Sequence, residues 1–255
     1  MTDSASIRIH KFIANNTVIS RREAEKLITS GHVKINNIEA IVGQKINPDK
    51  DIVMVKNQKI KITEQEITIA VNKEKDCNVA RINKEKGIIV SKKDPQKRKT
   101  IYDALPPKYT SLVHIGRLDK NSEGLILLTT NGELCYRLTH PKYEIEKEYL
   151  VDISGTPGKQ SLLEIENGIE IDGIYLKPKS IEIINETKSN TSQLKFILTE
   201  GKKREIRKIV KYLGFTVIKL QRVRLGNIYI QHLGQNKLLE LNNKQILELK
   251  RAVNL

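Results

Sequence analysis

The sequence predicts an α+β protein in which a small N-terminal module precedes a larger, mostly antiparallel mixed sheet with flanking helices. Apolar residues recur at helical spacing up to Gly31. From Ile82 onward, short alternating runs are separated by Gly, Pro and Asn, which is typical of strands joined by turns. A polar stretch of mixed charge lies between these regions. We therefore predict a small domain over 7–66, a linker over 67–80 and a larger domain over 81–255.

The N-terminal module is expected to contain two helices followed by short strands. Ile9, Phe12 and Ile13 recur at helical spacing and predict the first helix. The second begins at a capping box, Ser20 to Glu23, in which each side chain satisfies a free backbone amide. Gly31 is a suitable residue just beyond its end.

Two arginines, Arg21 and Arg22, lie in the first turn of this second helix, where the helix dipole disfavours positive charge. A bound phosphate would relieve that conflict, because free amides and both guanidinium groups would face it. The alternative is that both are ordinary solvated side chains.

The composition favours a polyanionic partner. The chain has 45 Lys and Arg against 30 Asp and Glu, a formal net charge of +15, and basic side chains bind phosphates by releasing counterions. Charge alone does not separate RNA from DNA or from an anionic membrane.

No apolar run approaches the roughly 20 residues needed to span a bilayer, and no secretory signal is visible, so we expect a cytoplasmic protein. Cys77 and Cys135 lack metal-ligand spacing, and we predict no metal.

The segment from His114 to Gly124 is rich in glycine and charge and leads directly into an apolar strand, Leu125 to Leu128. Such a loop holds polar side chains at the edge of the core. Taken alone, Asp119 in this loop is typical of a turn or cap residue.

The strand predicted from Ile145 to Ile153 places Lys147 and Tyr149 on an otherwise apolar face. Polar-tipped residues at these positions suggest the wall of a cleft. A tyrosine that bridges core and solvent is the alternative.

Positive charge is concentrated near the C-terminus. Residues 195–224 contain ten basic and two acidic side chains, more than half of the net charge. Within them, one helix has an apolar stripe that includes Ile206 and Ile209 and a basic stripe that includes Arg204 and Lys208. A basic strand from Leu220 to Gly226 follows. This arrangement fits a groove that follows a nucleic-acid backbone.

Together these segments resemble the RsuA/RluB family of ribosomal-RNA pseudouridine synthases. Residues Gly116 to Leu125 match its G-R-L-D-x-x-x-x-G-L signature, 147–149 match its K-x-Y strand, and 200–207 match its E-G-x-x-x-x-[IV]-[RK] segment. Residues 8–33 are similar to the S-four-like (αL) RNA-binding module common in that family. The chain departs from the family's N-K-P-x-G pattern at 83–87, where Glu85 replaces the proline.

The resemblance implies a role for each matching residue. Asp119 matches the catalytic aspartate, which attacks the ribose or the uracil or removes a proton. Arg207 matches the basic residue that pairs with it, and an ion pair in a partly dry cleft would hold the carboxylate in position. Tyr149 matches the tyrosine that stacks on the target base and assists proton transfer at C5. Arg117 is expected to contact the RNA backbone or to hold the target nucleotide out of its stack.

The implied substrate is ribosomal RNA, free or in an assembling subunit, and the implied isomerisation needs no cofactor. Two segments, 199–207 and 140–143, favour large-subunit over small-subunit RNA. We expect a monomer.

The other functional classes considered are a non-catalytic RNA-binding protein and a metal-dependent nuclease using Asp119 and Glu123, although this region has few clustered carboxylates. The residues expected to bind RNA are Lys11, Arg21, Arg22, Arg117, Lys147, Lys203, Arg204, Lys208, Lys211 and Arg222.

Overall fold

The computed structural model describes residues 6–17, 19–60, 79–110, 112–187, 190–233 and 238–255. The chain forms two compact units, residues 1–73 and 74–255, each of which is described by itself. Most of the predicted linker lies outside the described residues. Val79 and Ala80 already belong to the first strand of the larger unit, so this strand begins two residues before the predicted start of the large domain.

The small unit packs two helices against short strands, as predicted, although one short strand also precedes the helices. Strands β3, β2, β5 and β6 form one sheet in that order, and β1 pairs with β4. Its elements are β1 (Ile7–Arg8), α1 (Ile9–Asn16), α2 (Arg21–Thr29), β2 (Val33–Ile35), β3 (Ile38–Glu39), β4 (Lys45–Ile46), β5 (Val53–Val55) and β6 (Gln58–Lys59).

Local sequence signals account for these elements. The Ser20 side chain accepts a hydrogen bond from the Glu23 amide at 3.3 Å, which is one half of the predicted capping box. The second bond of the box, in which the Ser20 amide would donate to the Glu23 carboxylate, is not found among the described residues. Asn36 and Asn37 adopt φ values of 50° and 67°, and this left-handed pair forms the tight turn between β2 and β3.

In the parts of the chain that the structure describes, the large unit contains one nine-stranded sheet with helices on both faces and a separate two-stranded sheet formed by residues 169–171 and 174–176. Its strands are β7 (Val79–Lys84), β8 (Val113–Ile115), β9 (Glu123–Thr129), β10 (Lys147–Ser154), β11 (Ile169–Ile171), β12 (Ile174–Leu176), β13 (Ser180–Thr187), β14 (Thr191–Leu198), β15 (Val217–Leu225), β16 (Ile228–Tyr229) and β17 (Leu238–Glu240). Its α-helices are α3 (Gly132–Thr139), α4 (Lys159–Asn167), α5 (Glu205–Tyr212) and α6 (Asn243–Arg251), and short 3₁₀ helices cover 101–104, 107–109, 141–143 and 230–233.

The strand order confirms the predicted mostly antiparallel mixed sheet. In the described residues it runs β13-β14-β10-β15-β9-β7-β17, with β16 beside β15 and β8 beside β9. Every one of these pairings is antiparallel except that between β15 and β9. Strand β15 therefore lies between β10 and β9, which precede it in the chain by many residues.

The sheet separates two hydrophobic cores. Alternate residues of β9 point to opposite faces, so Ile126 and Leu128 join the core covered by α4 and α5, whereas Leu125 and Leu127 join the core covered by α3 and α6. No helix in the described parts of the chain combines the length and the apolar character that crossing a membrane requires.

Candidate active site

The loop that connects β8 to β9, residues 116–122, carries Asp119 and is called the Asp119 loop. The chain enters it at Gly116, whose φ of +70° lies in the left-handed region. The loop closes in a turn, because the Ser122 amide donates to the Asp119 carbonyl at 3.0 Å. The Asp119 side chain is exposed, and its carboxylate has no hydrogen bond or ion pair with the described residues. It is therefore open to an incoming ligand.

Lys84 fixes this loop to the end of β7. Its side chain is 2% exposed, and its ammonium group donates to the carbonyl oxygens of Glu85 at 2.9 Å, Lys120 at 3.3 Å and Ser122. Burial lowers the pKa of Lys84 to about 8, while the charges of Glu123 and Asp119 act in the opposite direction.

A second contact joins the same two segments. The Gly87 amide donates to the Lys120 carbonyl at 2.8 Å, so the turn after β7 supports the Asp119 loop at two points. We did not predict Lys84 as a site residue. The sequence offered a signal for its burial. Ile82 and Lys84 are two residues apart and so point to the same face of a strand, and Ile82 is buried.

Arg207 holds the loop from the other side, but not in the predicted way. Among the described residues, no Arg207 nitrogen lies within 4.0 Å of an Asp119 carboxylate oxygen, so the expected ion pair is not formed. Instead, Nη2 of Arg207 donates to the Asn121 carbonyl at 2.8 Å and to the Ser122 hydroxyl at 3.5 Å. Burial lowers the pKa of Arg207 and the charge of Asp119 opposes that effect, so the two groups remain electrostatically coupled.

Tyr149 lies in β10 on the face covered by α5 and is 8% exposed. Its Cα partners are Phe196 in β14 and Arg222 in β15. The register of β10 and β15 shifts next to Tyr149, which leaves Val223 without a partner. Such a bulge re-aims neighbouring side chains and is common beside active sites. The tyrosine hydroxyl has no hydrogen bond with the described residues.

Lys147 is anchored within the protein. Its ammonium group donates to the Ile145 and Thr199 carbonyl oxygens, each at 2.8 Å, which occupies two of its three donors. Burial, followed by the positive charge of Arg222, lowers the pKa of Lys147 to about 8, and the charges of Glu205 and Glu200 act in the opposite direction. The role predicted for Lys147 in RNA binding therefore depends on one remaining donor.

Glu205, at the start of α5, is a buried carboxylate that the sequence did not single out. It is 3% exposed, and burial raises its pKa. One carboxylate oxygen accepts from the Lys202 amide at 3.1 Å, whereas the other is buried without a hydrogen-bond partner among the described residues.

The two arginines of β15 are buried, not displayed on the surface as the predicted basic strand required. Arg224 is 9% exposed and forms ion pairs with Glu146 at 3.0 Å and Glu148 at 2.9 Å. Arg222 is 2% exposed, and its Nε donates to the Leu125 carbonyl at 2.8 Å. The expected contact between Arg222 and an RNA backbone at the surface is therefore not supported by its position.

The other predicted RNA contacts are mostly accessible. Lys208 is half-buried and pairs with Asp172 at 3.2 Å. In the small unit, Lys11 is half-buried in α1. The exposed members of the predicted set are Arg21, Arg22, Arg117, Lys203, Arg204 and Lys211.

A cleft of about 330 Å³ borders the Asp119 loop. Two lysines stand at its rim, and one of them, Lys219, pairs with Glu123 at 3.2 Å. The lining residues are Lys86, Asn121, Glu123, Ile218, Lys219 and Leu220.

Within the described residues, no group of three His, Cys, Asp or Glu side chains could hold a metal ion. Cys135 forms no disulfide with the described residues, and Cys77 lies outside them.

Comparisons with known proteins agree on one family. Residues 78–212 match the RNA pseudouridylate synthase family, and residues 7–52 match the S4 domain. An uncharacterized RNA pseudouridine synthase of Aquifex aeolicus is 34% identical over 250 residues, which cover 98% of this chain and 96% of the relative. A ribosomal large subunit pseudouridine synthase B of Vibrio vulnificus is 33% identical over 97% of this chain and 76% of the relative.

A solved structure supports the same assignment. The crystal structure of a pseudouridylate synthase covers 96% of this chain and all of its own, with a TM-score of 0.63 and 25% identity. The family match spans more than half of the chain and contains the Asp119 loop and Tyr149. The chain therefore belongs to the RNA pseudouridylate synthase family, whose members are isomerases that act on RNA, and it carries an S4 RNA-binding domain at its N-terminal side.

Proposed function

We propose that this protein isomerises specific uridines of large-subunit ribosomal RNA to pseudouridine, with Asp119 as the catalytic carboxylate and without a cofactor. One observation carries the proposal. Lys84, Gly87 and Arg207 fix the Asp119 loop through its backbone and the Ser122 hydroxyl, while the carboxylate itself is exposed and free of hydrogen bonds with the described residues. These hydrogen bonds hold the Asp119 carboxylate in position but leave its oxygen atoms free to react.

The target uridine must leave its stack to reach this carboxylate. Arg117 is exposed two residues before Asp119 and is placed to contact the displaced nucleotide or the adjoining backbone. The Tyr149 ring supplies a stacking surface for the base. Because the Tyr149 hydroxyl has no partner among the described residues, it is available to assist proton transfer at C5.

The reaction rearranges bonds within one nucleotide. The bond between N1 of uracil and C1′ of ribose breaks, the ring turns, and C5 bonds to the same C1′. Asp119 acts by attacking the ribose, by attacking the uracil or by removing a proton. Nothing is oxidised overall and no group donor is consumed, so the isomerisation requires no redox carrier. This is the reason for proposing a cofactor-free enzyme.

The choice of large-subunit RNA rests on the relatives. Segments 199–207 and 140–143 favoured that branch in the sequence, and the Vibrio vulnificus relative is named for the large ribosomal subunit. A small-subunit uridine is the alternative. We further propose that the protein acts as a monomer in the cytoplasm, on free RNA or on an assembling subunit.

Pseudouridine mapping tests this proposal. Ribosomal RNA from cells that lack the gene is compared with RNA from cells complemented by the wild type, Asp119→Asn or Glu123→Gln. We expect one large-subunit uridine to lose its modification and to regain it with the wild type and Glu123→Gln, but not with Asp119→Asn.

The other outcomes have distinct meanings. A lost site in small-subunit RNA would select the alternative substrate. Normal modification by Asp119→Asn would refute the catalytic role of Asp119, and the absence of any lost site in ribosomal RNA would refute the proposed substrate.

A further inference from the structure

Arg222 lies at the centre of the site, between the two strands that carry its main parts. Its Cα partners are Tyr149 in β10 and Gly124 in β9, directly after the Asp119 loop. Residues paired directly across antiparallel strands point to the same face, with Cβ atoms about 5 Å apart. A base stacked on Tyr149 would therefore lie beside the Arg222 side chain.

The Arg222 guanidinium is buried but largely without partners. Its Nε bond to the Leu125 carbonyl is its single hydrogen bond with the described residues, and Nη2 is buried with no acceptor among them. An unpaired buried charge is costly, because it loses hydration without compensation. Arg224, two residues further along the strand, shows the contrast, since two glutamates neutralise it. A purely structural role would not require Arg222 to remain unpaired.

The proposed isomerisation generates a negative charge with which the Arg222 guanidinium can pair. When the N1–C1′ bond breaks, its electron pair stays on the uracil ring, which then carries negative charge shared between its nitrogen and carbonyl oxygen atoms. The routes open to Asp119 differ in the bond that the carboxylate forms or the proton that it removes, but not in where this electron pair goes. After the ring has turned, C5 provides the electron pair for the new bond to C1′, the C5 proton leaves and N1 takes up a proton.

We propose that Arg222 is a further catalytic residue that donates hydrogen bonds to a uracil carbonyl oxygen and stabilises the negative charge of the ring between bond cleavage and bond formation. This inference rests on the proposed function and adds a residue and a step to it. Preorganised donors aimed at developing charge are strongest where water is excluded, and Arg222 is 2% exposed. The positive charge of Arg222 adds to the effect of burial in lowering the pKa of Lys147, so the two cations interact in this part of the site.

The test uses Arg222→Ala, Arg222→Gln and, as a control on the same strand, Arg224→Ala. Each full-length protein is assayed on RNA that carries the mapped target uridine, and the single-turnover rate at saturating enzyme and the Kd for RNA are measured. We expect Arg222→Ala and Arg222→Gln to lower the rate about 100–1000-fold with Kd changed less than about 3-fold. Arg224→Ala should lose stability but keep a rate within about 5-fold of the wild type. The bulge at Val223 leaves Arg224 paired with Glu148, whose side chain points to the opposite face of β10 from Tyr149.

Chemical rescue separates a charge effect from a structural one. Guanidinium ion at millimolar concentration should restore part of the rate of Arg222→Ala, whereas sodium chloride at the same ionic strength should not. If Arg222→Ala does not fold, Arg222→Gln decides the question, because its amide can still donate to the Leu125 carbonyl.

Each contrary result has its own meaning. A wild-type rate in folded Arg222→Gln would overturn the inference, provided that the wild type forms pseudouridine on the same RNA. An unchanged rate at saturating enzyme with a loss of affinity and a weaker salt dependence of binding would overturn it in favour of a phosphate contact. Failure of the wild type on every ribosomal RNA would instead refute the proposed function.

Discussion

Gly124 lies so close to Arg222 that position 124 has no room for a side chain. A Cβ atom there would stand 2.7 Å from the Arg222 backbone nitrogen and closer still to its carbonyl oxygen, and Gly124 also has a φ of +107°. The parallel contact between β9 and β15 places the two backbones at this distance. The second glycine of the G-R-L-D-x-x-x-x-G-L signature is therefore required by the packing of β15.

We predict that Gly124→Ala destabilises the protein by roughly 2–4 kcal/mol, because it combines backbone strain with overlap of main-chain atoms. The free energy of unfolding by urea measures this effect. Gly173→Ala is the matched control, since Gly173 also has a positive φ of +70° but nothing within 4 Å of its added Cβ. It should cost about 1 kcal/mol, and equal losses in the two variants would show that overlap with β15 is unimportant.

The depressed pKa of Lys84 predicts a pH-dependent contribution to stability. Below about pH 8 both the folded and the unfolded chain carry the proton, so the penalty for burying the charge is fully present. Above about pH 8 the folded protein releases the proton, whereas the unfolded chain keeps it up to its ordinary pKa of 10.5. The stability of the wild type relative to Lys84→Met should therefore rise between pH 8 and 10.5, by roughly 1–3 kcal/mol. Urea unfolding of both proteins across this range measures the difference, and a constant difference would contradict the shift.

Tyr149→Phe should separate stacking from proton transfer. Because the Tyr149 hydroxyl has no hydrogen bond with the described residues, its removal should change the free energy of unfolding by less than about 0.5 kcal/mol. RNA affinity should also be kept, because the ring remains, whereas Tyr149→Ala should weaken it by about 1–3 kcal/mol. Uridine deuterated at C5 should show a larger isotope effect on turnover in Tyr149→Phe than in the wild type. No increase would remove the hydroxyl from the C5 proton step.

The exposed arginines at the start of α2 should bind RNA phosphates. Arg21→Ala combined with Arg22→Ala is expected to weaken RNA binding and to reduce the salt slope of log Kd by up to about 1 for each phosphate that is no longer neutralised. Lys45→Ala combined with Lys59→Ala removes the same charge from exposed positions on other elements of the small unit. An equal weakening in this control would show a general effect of charge, and an unchanged slope in the arginine variant would remove both residues from the interface.

Much of the fold followed from local patterns. The apolar spacing of α1 and α5, the Ser20 cap and the alternation of β9 and β10 are short-range signals that depend on the period of each element. The motifs also identified the Asp119 loop, and its exposed carboxylate agrees with a reactive group.

The burial of the β15 arginines, which the sequence analysis did not predict, follows from strand order. The position of β15 between β10 and β9 buries Arg222 and Arg224, and an alternating pattern carries no information about which strands become neighbours. Arg207 lies in α5, and its hydrogen-bond partners, the Asn121 carbonyl and the Ser122 hydroxyl, depend on how the Asp119 loop folds, which the motif does not encode. Lys84 could have been suspected from its place after Ile82 on a buried face, but its three carbonyl partners depend on how the loop folds back.

The insertion of β15 between two earlier strands also sets the order in which an active molecule can appear during synthesis. Before β15 is made, β7, β8 and β9 can pair on one side and β10, β13 and β14 on the other, each group ending in an open edge. The first group holds Asp119, and the second holds Tyr149, the ring proposed to stack on the target base. Because a nascent chain can join these halves only after Leu225 has left the ribosome, neither half is a smaller working enzyme, and late long-range pairing of this kind is expected to make folding slow.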